Sequence, residues 1–461
     1  MSSSAPRTQP LRFNAFVMNT ASHIQHGQWR RPEARQHEFA DVDLWIEVAK
    51  TLERGKFDAM FFADVVGVYG PVGGDYSVNA REGLQIPNND PSILIAALAT
   101  HTKDIGLAFT SSIMQAHPFE FARRVSTLDH VSRGRVAWNI VTSYQENAAR
   151  NFGLDRLPDH DERYARAEEY LDVVYKLWEG SWEEDALRRD KSGEFSDPTK
   201  IHRINHDGQY YRVEGPHLSQ PTAQRTPYLF QAGSSSSGQA FAARHAESQF
   251  IGARTPESAA EVVSVTRDAA EAAGRNRDDI NFFAAISFIV GSTEEEALRL
   301  EREYDDYASA DGFLAHANMG VSQDDGTPFA PDTLLKDIRT NGSQSILKGL
   351  TAQFEGREPT VRDLGVLAAK RHVRIVGTPE QIADDLERWR AAGVDGVNVS
   401  NWTLPGSYNE FVDQVIPVLQ ERGLAKTEYA EGSLRKKFTG SDRVNDRHPA
   451  ARYRGAFAPV S

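Results

Sequence analysis

Arg135-Val-Ala-Trp-Asn-Ile-Val-Thr-Ser143 is an apolar run that turns polar at Asn139, Thr142 and Ser143. A parallel strand buried on both faces reads this way as it surfaces at its C-terminal end. Soon after stands Pro158-Asp-His-Asp-Glu-Arg-Tyr164. Its spacing predicts a helix start, with Asp159 capping the first turn and Glu162 three residues on, a capping box in aspartate form. His160 and Tyr164, four apart, share one face of the first turns. The free N–H groups and positive dipole end of a helix start suit a phosphate. A polar strand end beside such a start predicts a place for a phosphorylated ligand.

Outward from this stretch, apolar runs alternate with amphipathic helices. Strands are predicted at 11–18, 57–63, 105–109, 136–141, 228–231, 249–251, 280–290 and 396–399. Helices are predicted at 42–54, 91–100, 119–130, 161–178, 239–245, 257–273, 293–304, 382–392 and 408–419. Eight strands with helices between them match an α/β chain folded as one (β/α)8 (TIM) barrel. The expected organisation is a single barrel over 1–424, with insertions at about 65–90, 183–224 and 308–370, and a basic C-terminal arm, 425–461. The 65–89 stretch carries five glycines and no helical period, and 308–370 reads as irregular. The arm has eight Lys/Arg against four Asp/Glu, which reads as disorder or as an arm across a neighbouring subunit. Polar residues fall at strand ends (Asn19, Asp64, Thr110, Asn139, Ser235, Asn401), the face on which barrel enzymes build their sites.

The 461 residues carry a net charge of −13, which argues against nucleic acid and anionic membranes as partners. With no cysteine there are no disulfides, thiolate metal sites or cysteine nucleophiles, as suits a reducing cytoplasm. Met1–Gln9 lacks the apolar core of a signal peptide, and no run reaches the length of a membrane span, so a cytoplasmic location is expected.

Gly233-Ser-Ser-Ser-Ser-Gly238 has P-loop glycine spacing, but Gln239 and Ala240 stand where Lys and Ser/Thr are needed. What remains is a phosphate clamp of backbone N–H groups and hydroxyls, Ser234 and Ser235 among them. No GxGxxG fingerprint supports tight pyridine-nucleotide binding. His23 and His26 follow the first strand and suit a pocket; His202 and His206 read as surface, and no metal is expected at either pair. His316 lines a lid or is structural. Asp64 is a lone carboxylate at a strand end. Phe57, Phe61, Phe62 and Trp138 are core, or wall a flat aromatic cofactor.

These residues fall into recognisable strings: Leu52-Glu-Arg-Gly-Lys-Phe-Asp58, Ala63-Asp-Val-Val-Gly67, Ser126-Thr-Leu-Asp-His130, Gly134-Arg-Val-Ala-Trp-Asn-Ile-Val-Thr-Ser143, Asn151-Phe-Gly153, His160-Asp-Glu-Arg-Tyr164 and Gln231-Ala-Gly233. Together they resemble the bacterial-luciferase-like flavin monooxygenases, in the branch acting on nitrilotriacetate, dibenzothiophene sulfone, long-chain alkanes and dimethyl sulfide. The resemblance implies a (β/α)8 barrel that binds reduced FMN from a separate NAD(P)H:FMN reductase, and a homodimer or homotetramer. It implies reaction of the flavin with O2 to a C4a-(hydro)peroxide that passes one oxygen atom to a small apolar substrate. Flavin contacts fall on Asp64, Thr110, Asn139, Ser143, His160, Tyr164, Ser234 and Ser235. Tyr69, Gln85 and Tyr144 fall at the substrate, and His23, His26 and His316 are candidate catalytic residues. Thr20 and Tyr144 replace a cysteine and a histidine of the alkane branch, and the Gly432–Lys437 stretch resembles the dimethyl sulfide branch more fully. An organosulfur substrate is therefore expected. The alternatives are long-chain alkane hydroxylation, a deazaflavin (F420)-dependent oxidoreductase and a non-catalytic flavin-binding barrel.

Overall fold

The computed structural model describes residues 9–69, 76–233, 235–316, 329–330, 332–337, 357–370 and 372–458. Eight parallel strands close into a barrel: β1 (Arg12–Met18), β2 (Ala59–Ala63), β3 (Gly106–Ser112), β4 (Val136–Val141), β7 (Tyr228–Gln231), β8 (Ser248–Ile251), β9 (Asn281–Val290) and β11 (Gly396–Ser400), with β11 pairing back to β1. The two-stranded β5 (His206–Asp207) and β6 (Arg212–Val213) belong to the 183–224 insertion. β10 (Arg374–Gly377) adds a further parallel strand to the end of β9. No strand is predicted there from the sequence; its order comes from pairing with the end of β9, residues distant in the chain.

The helices are α1 (Val42–Arg54), α2 (Ser77–Glu82), α3 (Pro91–His101), α4 (Pro118–Ser132), α5 (Glu146–Asn151), α6 (His160–Tyr175), α7 (Ser236–His245), α8 (Pro256–Ala272), α9 (Glu294–Tyr307) and α10 (Ala310–His316), followed by segments including Val361–Ala369 and Pro379–Ala391. In α1, Asp41 caps the start by accepting from Asp43 N, and Leu44, Trp45, Val48, Ala49 and Leu52 form the buried stripe. The period-2 alternation of each strand sorts the core into two regions. Outward residues such as Phe13, Phe62, Phe109 and Trp138 meet the helices. Inward residues Phe16, Phe61, Ala108, Ala137, Tyr228, Phe230 and Phe283 fill the barrel. Phe57, Phe61, Phe62 and Trp138 are all buried core.

Several expectations are corrected. The 65–89 stretch holds α2, whose Asn79 is fully buried by tertiary packing that local pattern does not report. The described parts of 308–370 are helical in α10 and Val361–Ala369, which pack on each other; 317–328, 331 and 338–356 lie outside the described residues. The capping box at Asp159 does not form: its side chain caps nothing and lies 3.5 Å from Arg156 Nη1 instead. His202 and His206 are largely buried rather than facing solvent: His202 meets Glu183 at 2.7 Å within the insertion, and His206 meets Glu169 of the barrel helix starting at His160 at 3.2 Å, tying the insertion to the barrel.

The described part of the basic arm is ordered against this chain's own barrel, folded back over its N-terminal end. Leu434 and Phe438 join the inward aromatic cluster. Arg435, wholly buried, spends its donors on Glu247 and on the carbonyls of Gln224, Thr226 and Pro227, at the foot of β7. The positive charges counted in the sequence are therefore partly internal ion pairs. Among the described residues no helix is long and apolar enough to cross a membrane.

Candidate active site

At the C-terminal ends of the strands opens a cavity of about 520 Å³. Register brings its central pair together, since Thr110 of β3 lies beside Asn139 of β4. Asn139 Nδ2 donates to Thr110 Oγ1 at 2.9 Å, while Asn139 Oδ1 is buried and has no partner among the described residues. The pair thus offers a bare acceptor beside a hydroxyl with a free proton, within one strand spacing. Ser143 and Gln85, both lining the cavity, hold left-handed backbone (φ 59° and 52°). Such backbone costs a non-glycine residue roughly 1 kcal/mol, and strain of this kind clusters at functional sites.

One end of the cavity lies between two helix starts. Ser235 caps α7, its Oγ accepting from Gly238 N at 3.1 Å. The same Oγ lies 3.0 Å from His160 Nε2 at the start of α6. Tyr164 stands one turn on, its ring 5.1 Å from that of His160. The turn must be tight: a Cβ on Gly238 would come within 2.7 Å of Tyr164 Oη, and one on Gly233 within 2.7 Å of Gly238 Cα. Arg163 also lines this end, its Nη1 donating to Pro158 O at 2.7 Å and its Nε unpaired among the described residues. Among the described lining residues it is the one Lys or Arg. Two positive dipole ends, a guanidinium, a hydroxyl and an imidazole form a site suited to an anion. Ser234 lies outside the described residues.

Asp64, at the end of β2, accepts from Asn88 Nδ2 at 2.8 Å and Gln115 Nε2 at 3.4 Å. Burial pushes its carboxyl up to about 7, helped by the charge of Asp90 and opposed by the hydrogen bonds from Asn88 and Gln115. Unfolded, the group loses its proton near pH 3.9, so the stability it contributes is complete below about pH 4 and lost as the pH rises through about 7. The denaturation midpoint of the wild type is expected to fall relative to that of Asp64→Asn between about pH 4 and 7. Urea melts at several pH values check this, and parallel curves would remove the shifted carboxyl.

The opposite end is built from Tyr69, Gln85, Tyr144, His23 and His316. The Tyr144 hydroxyl bonds that of Tyr69, and the His316 ring meets the Tyr69 ring edge-on at 4.7 Å. His23 packs on Phe16 at 4.7 Å. Burial, then the neighbouring histidines, lowers His23 to about 3 and His316 to about 4, so both rings are neutral at neutral pH. His26 is the exception among the candidates: it is fully buried behind the cavity and does not line it. Its three-residue spacing from His23 is legible, but which ring faces the cavity is set by packing against Phe313, 4.8 Å away. Asn19 and Asn401, though at strand ends, also lie off this cavity. Conversely Gln115, Ser112, Arg163 and Gln145 line it without having been singled out; their signal is proximity to Thr110, Tyr164 and Tyr144 in the chain. Among the described residues no three His, Asp or Glu gather as metal ligands.

A barrel with an anion site, an unpaired acceptor and an aromatic chamber at its C-terminal face defines an enzyme of the cofactor-using barrel class. The chain belongs to the luciferase-like monooxygenase family, whose pattern matches residues 18–396. It is 43% identical to the long-chain alkane monooxygenase of Geobacillus thermodenitrificans (strain NG80-2) over 457 residues, 98% of this chain and 100% of that one. It is 44% identical to the dimethyl-sulfide monooxygenase of Hyphomicrobium sulfonivorans over 454 residues, 96% of this chain and 94% of that one. Among solved structures, that of a long-chain alkane monooxygenase superimposes with TM-score 0.88 at 42% identity, covering 97% and 100% of the two chains. A riboflavin lyase solved with modified FMN and riboflavin gives 0.85 at 36%, again over 97% and 100%. The protein is an enzyme of the monooxygenase class.

Proposed function

We propose that the protein is the oxygenase of a two-component flavin system. Reduced FMN, delivered by a separate NAD(P)H:FMN reductase, binds in the cavity, and a small uncharged apolar substrate is oxygenated beside it. The observation that carries the reading is the match of donor set to cofactor in one cavity. An anion site at one end suits the FMN phosphate, and the bare Asn139 Oδ1 beside Thr110 Oγ1 suits the alternating N–H and C=O edge of a flavin. His160, Arg163, Tyr164 and Ser235 hold the phosphate, with Ser234 of the same loop. Asn139, Thr110, Asp64 and Ser143 meet the ring.

Bound reduced flavin supplies the oxygen activation, one atom of O2 going to substrate and the other leaving as water. The chain supplies position and dryness. Phe16, Phe61, Val66 and Phe250 wall the cavity with apolar surface that keeps water from the reacting centre. Asp64 keeps its carboxyl proton up to about pH 7, so near neutrality it acts as donor as well as acceptor. His23 and His316 stay neutral and face the substrate without charge. Among the described lining residues, then, nothing at the substrate end offers a charge to an anionic group. This favours an organosulfur compound or an alkane over a polycarboxylate. The similar relatives are named for both apolar classes at nearly equal identity, so both belong in the test. We assign a homodimer or homotetramer as the working assembly.

Photoreduced FMN bound anaerobically to the protein is mixed with ¹⁸O₂-saturated buffer, alone and with sulfides, sulfones and alkanes. Reoxidation slower than that of free FMN, changed by one compound that then carries a single ¹⁸O, is the expected result. Reoxidation as fast as in free solution and unlabelled products would sink the reading.

A further inference from the structure

Behind the substrate end runs a hydrogen-bonded chain that leads out of the cavity into the protein. Ser22 Oγ lies 2.8 Å from His26 Nδ1, and His26 Nε2 lies 2.8 Å from His316 Nδ1. Ser22 and His26 are buried, 2% and 0% exposed. Both imidazoles are neutral near pH 7, burial being the first cause in each. A neutral imidazole carries one N–H and one bare nitrogen, so the direction of a single proton in the chain sets all the others.

Ser22 Oγ has no other hydrogen-bond partner among the described residues. If it accepted from His26, its own O–H would be buried without an acceptor, which costs more than an unused lone pair. Ser22 therefore donates to His26 Nδ1. His26 then carries its proton on Nε2 and donates to His316 Nδ1. His316 is left with its proton on Nε2, a ring nitrogen with no hydrogen-bond partner among the described residues. The ring also stands edge-on against Tyr69 at 4.7 Å, which restrains its turning about Cβ.

We propose that Ser22 and His26 are positioning residues that lock His316 as a neutral N–H donor facing the substrate end. This donor takes an acceptor atom, the sulfur or oxygen of an uncharged substrate or the oxygen being transferred. It is not a base. The tautomer assignment concerns the protein alone; the use made of it rests on the monooxygenase reading above.

The test is ¹⁵N-histidine labelling of the full chain without flavin, with long-range ¹H–¹⁵N spectra at neutral pH and His316 assigned by loss of its signals in His316→Gln. The expected wild-type pattern is a pyrrole-type Nε2 and a pyridine-type Nδ1. His26→Gln, which keeps an N–H near the Nε2 position, preserves it. His26→Leu and Ser22→Ala, the latter a minimal change that leaves folding intact, give mixed tautomers. Turnover follows: kcat/KM falls about threefold to tenfold in Ser22→Ala and His26→Leu and is largely rescued in His26→Gln. A wild-type His316 protonated on Nδ1, or a tautomer unmoved by both disruptive variants, overturns the proposal. So does wild-type kcat/KM in His26→Leu. If no flavin-dependent turnover exists at all, the spectra still decide the tautomer, so the two readings fail separately.

Discussion

Arg435→Ala is expected to destabilise the protein by about 3–5 kcal/mol, the cost of leaving a buried partner charge unpaired. Arg435 is wholly buried and bonds Glu247 twice, Nε to Oε1 at 2.7 Å and Nη2 to Oε2 at 2.8 Å. Its other N–H groups reach Thr226 O at 2.8 Å and Pro227 O at 2.7 Å. Removing the guanidinium strands Glu247, which among the described residues retains only the N–H of Leu229 at 3.1 Å, and orphans carbonyls at the foot of β7. It also loosens the helix that carries Leu434 and Phe438 into the barrel floor. A paired replacement, Arg435→Met with Glu247→Leu, removes both charges and is expected to recover most of the loss. Chemical denaturation of the three proteins checks this; an alanine variant within about 0.5 kcal/mol of wild type, the range of ordinary surface changes, would show that the arm is not held by this pair.

His160→Ala is expected to weaken binding of reduced FMN about tenfold to a hundredfold, the range for hydrogen bonds to a charged group. His160 and Ser235 meet at 3.0 Å across the starts of α6 and α7, so either alone leaves one side of the anion site open. The side chain is 44% exposed, and its removal should leave the melting temperature unchanged within error. Riboflavin, which lacks the phosphate, is the control: its affinity should be the same for both proteins. Equal losses for FMN and riboflavin in anaerobic titrations would place the phosphate elsewhere.

Much of the barrel is legible in the sequence because its strands are buried on both faces. Burial of that kind writes itself as short apolar runs with polar ends, and Val136–Val141 is read at its true bounds. The family strings are equally local, since they hold strand ends and helix starts. The elements missed lack such a local signature. β10 is four residues long and borrows its order from β9. Arg435, Lys436 and Lys437 look like solvated charge, yet Arg435 is internal because Glu247, far away in the chain, lies beneath it.

The candidate site divides along the same line. The chain's own order announces a (β/α)8 barrel, a helix start at His160 and a Gly/Ser turn at Ser235, each specified by neighbours a few residues apart. Only the closed barrel decides that Asn139 meets Thr110, that Asp64 loses water, and that His316 faces the cavity while His26 stands behind it. Those outcomes depend on strand register, on burial and on which of two neighbouring rings packs inward. They are sums over residues distant in sequence, and no local pattern carries them.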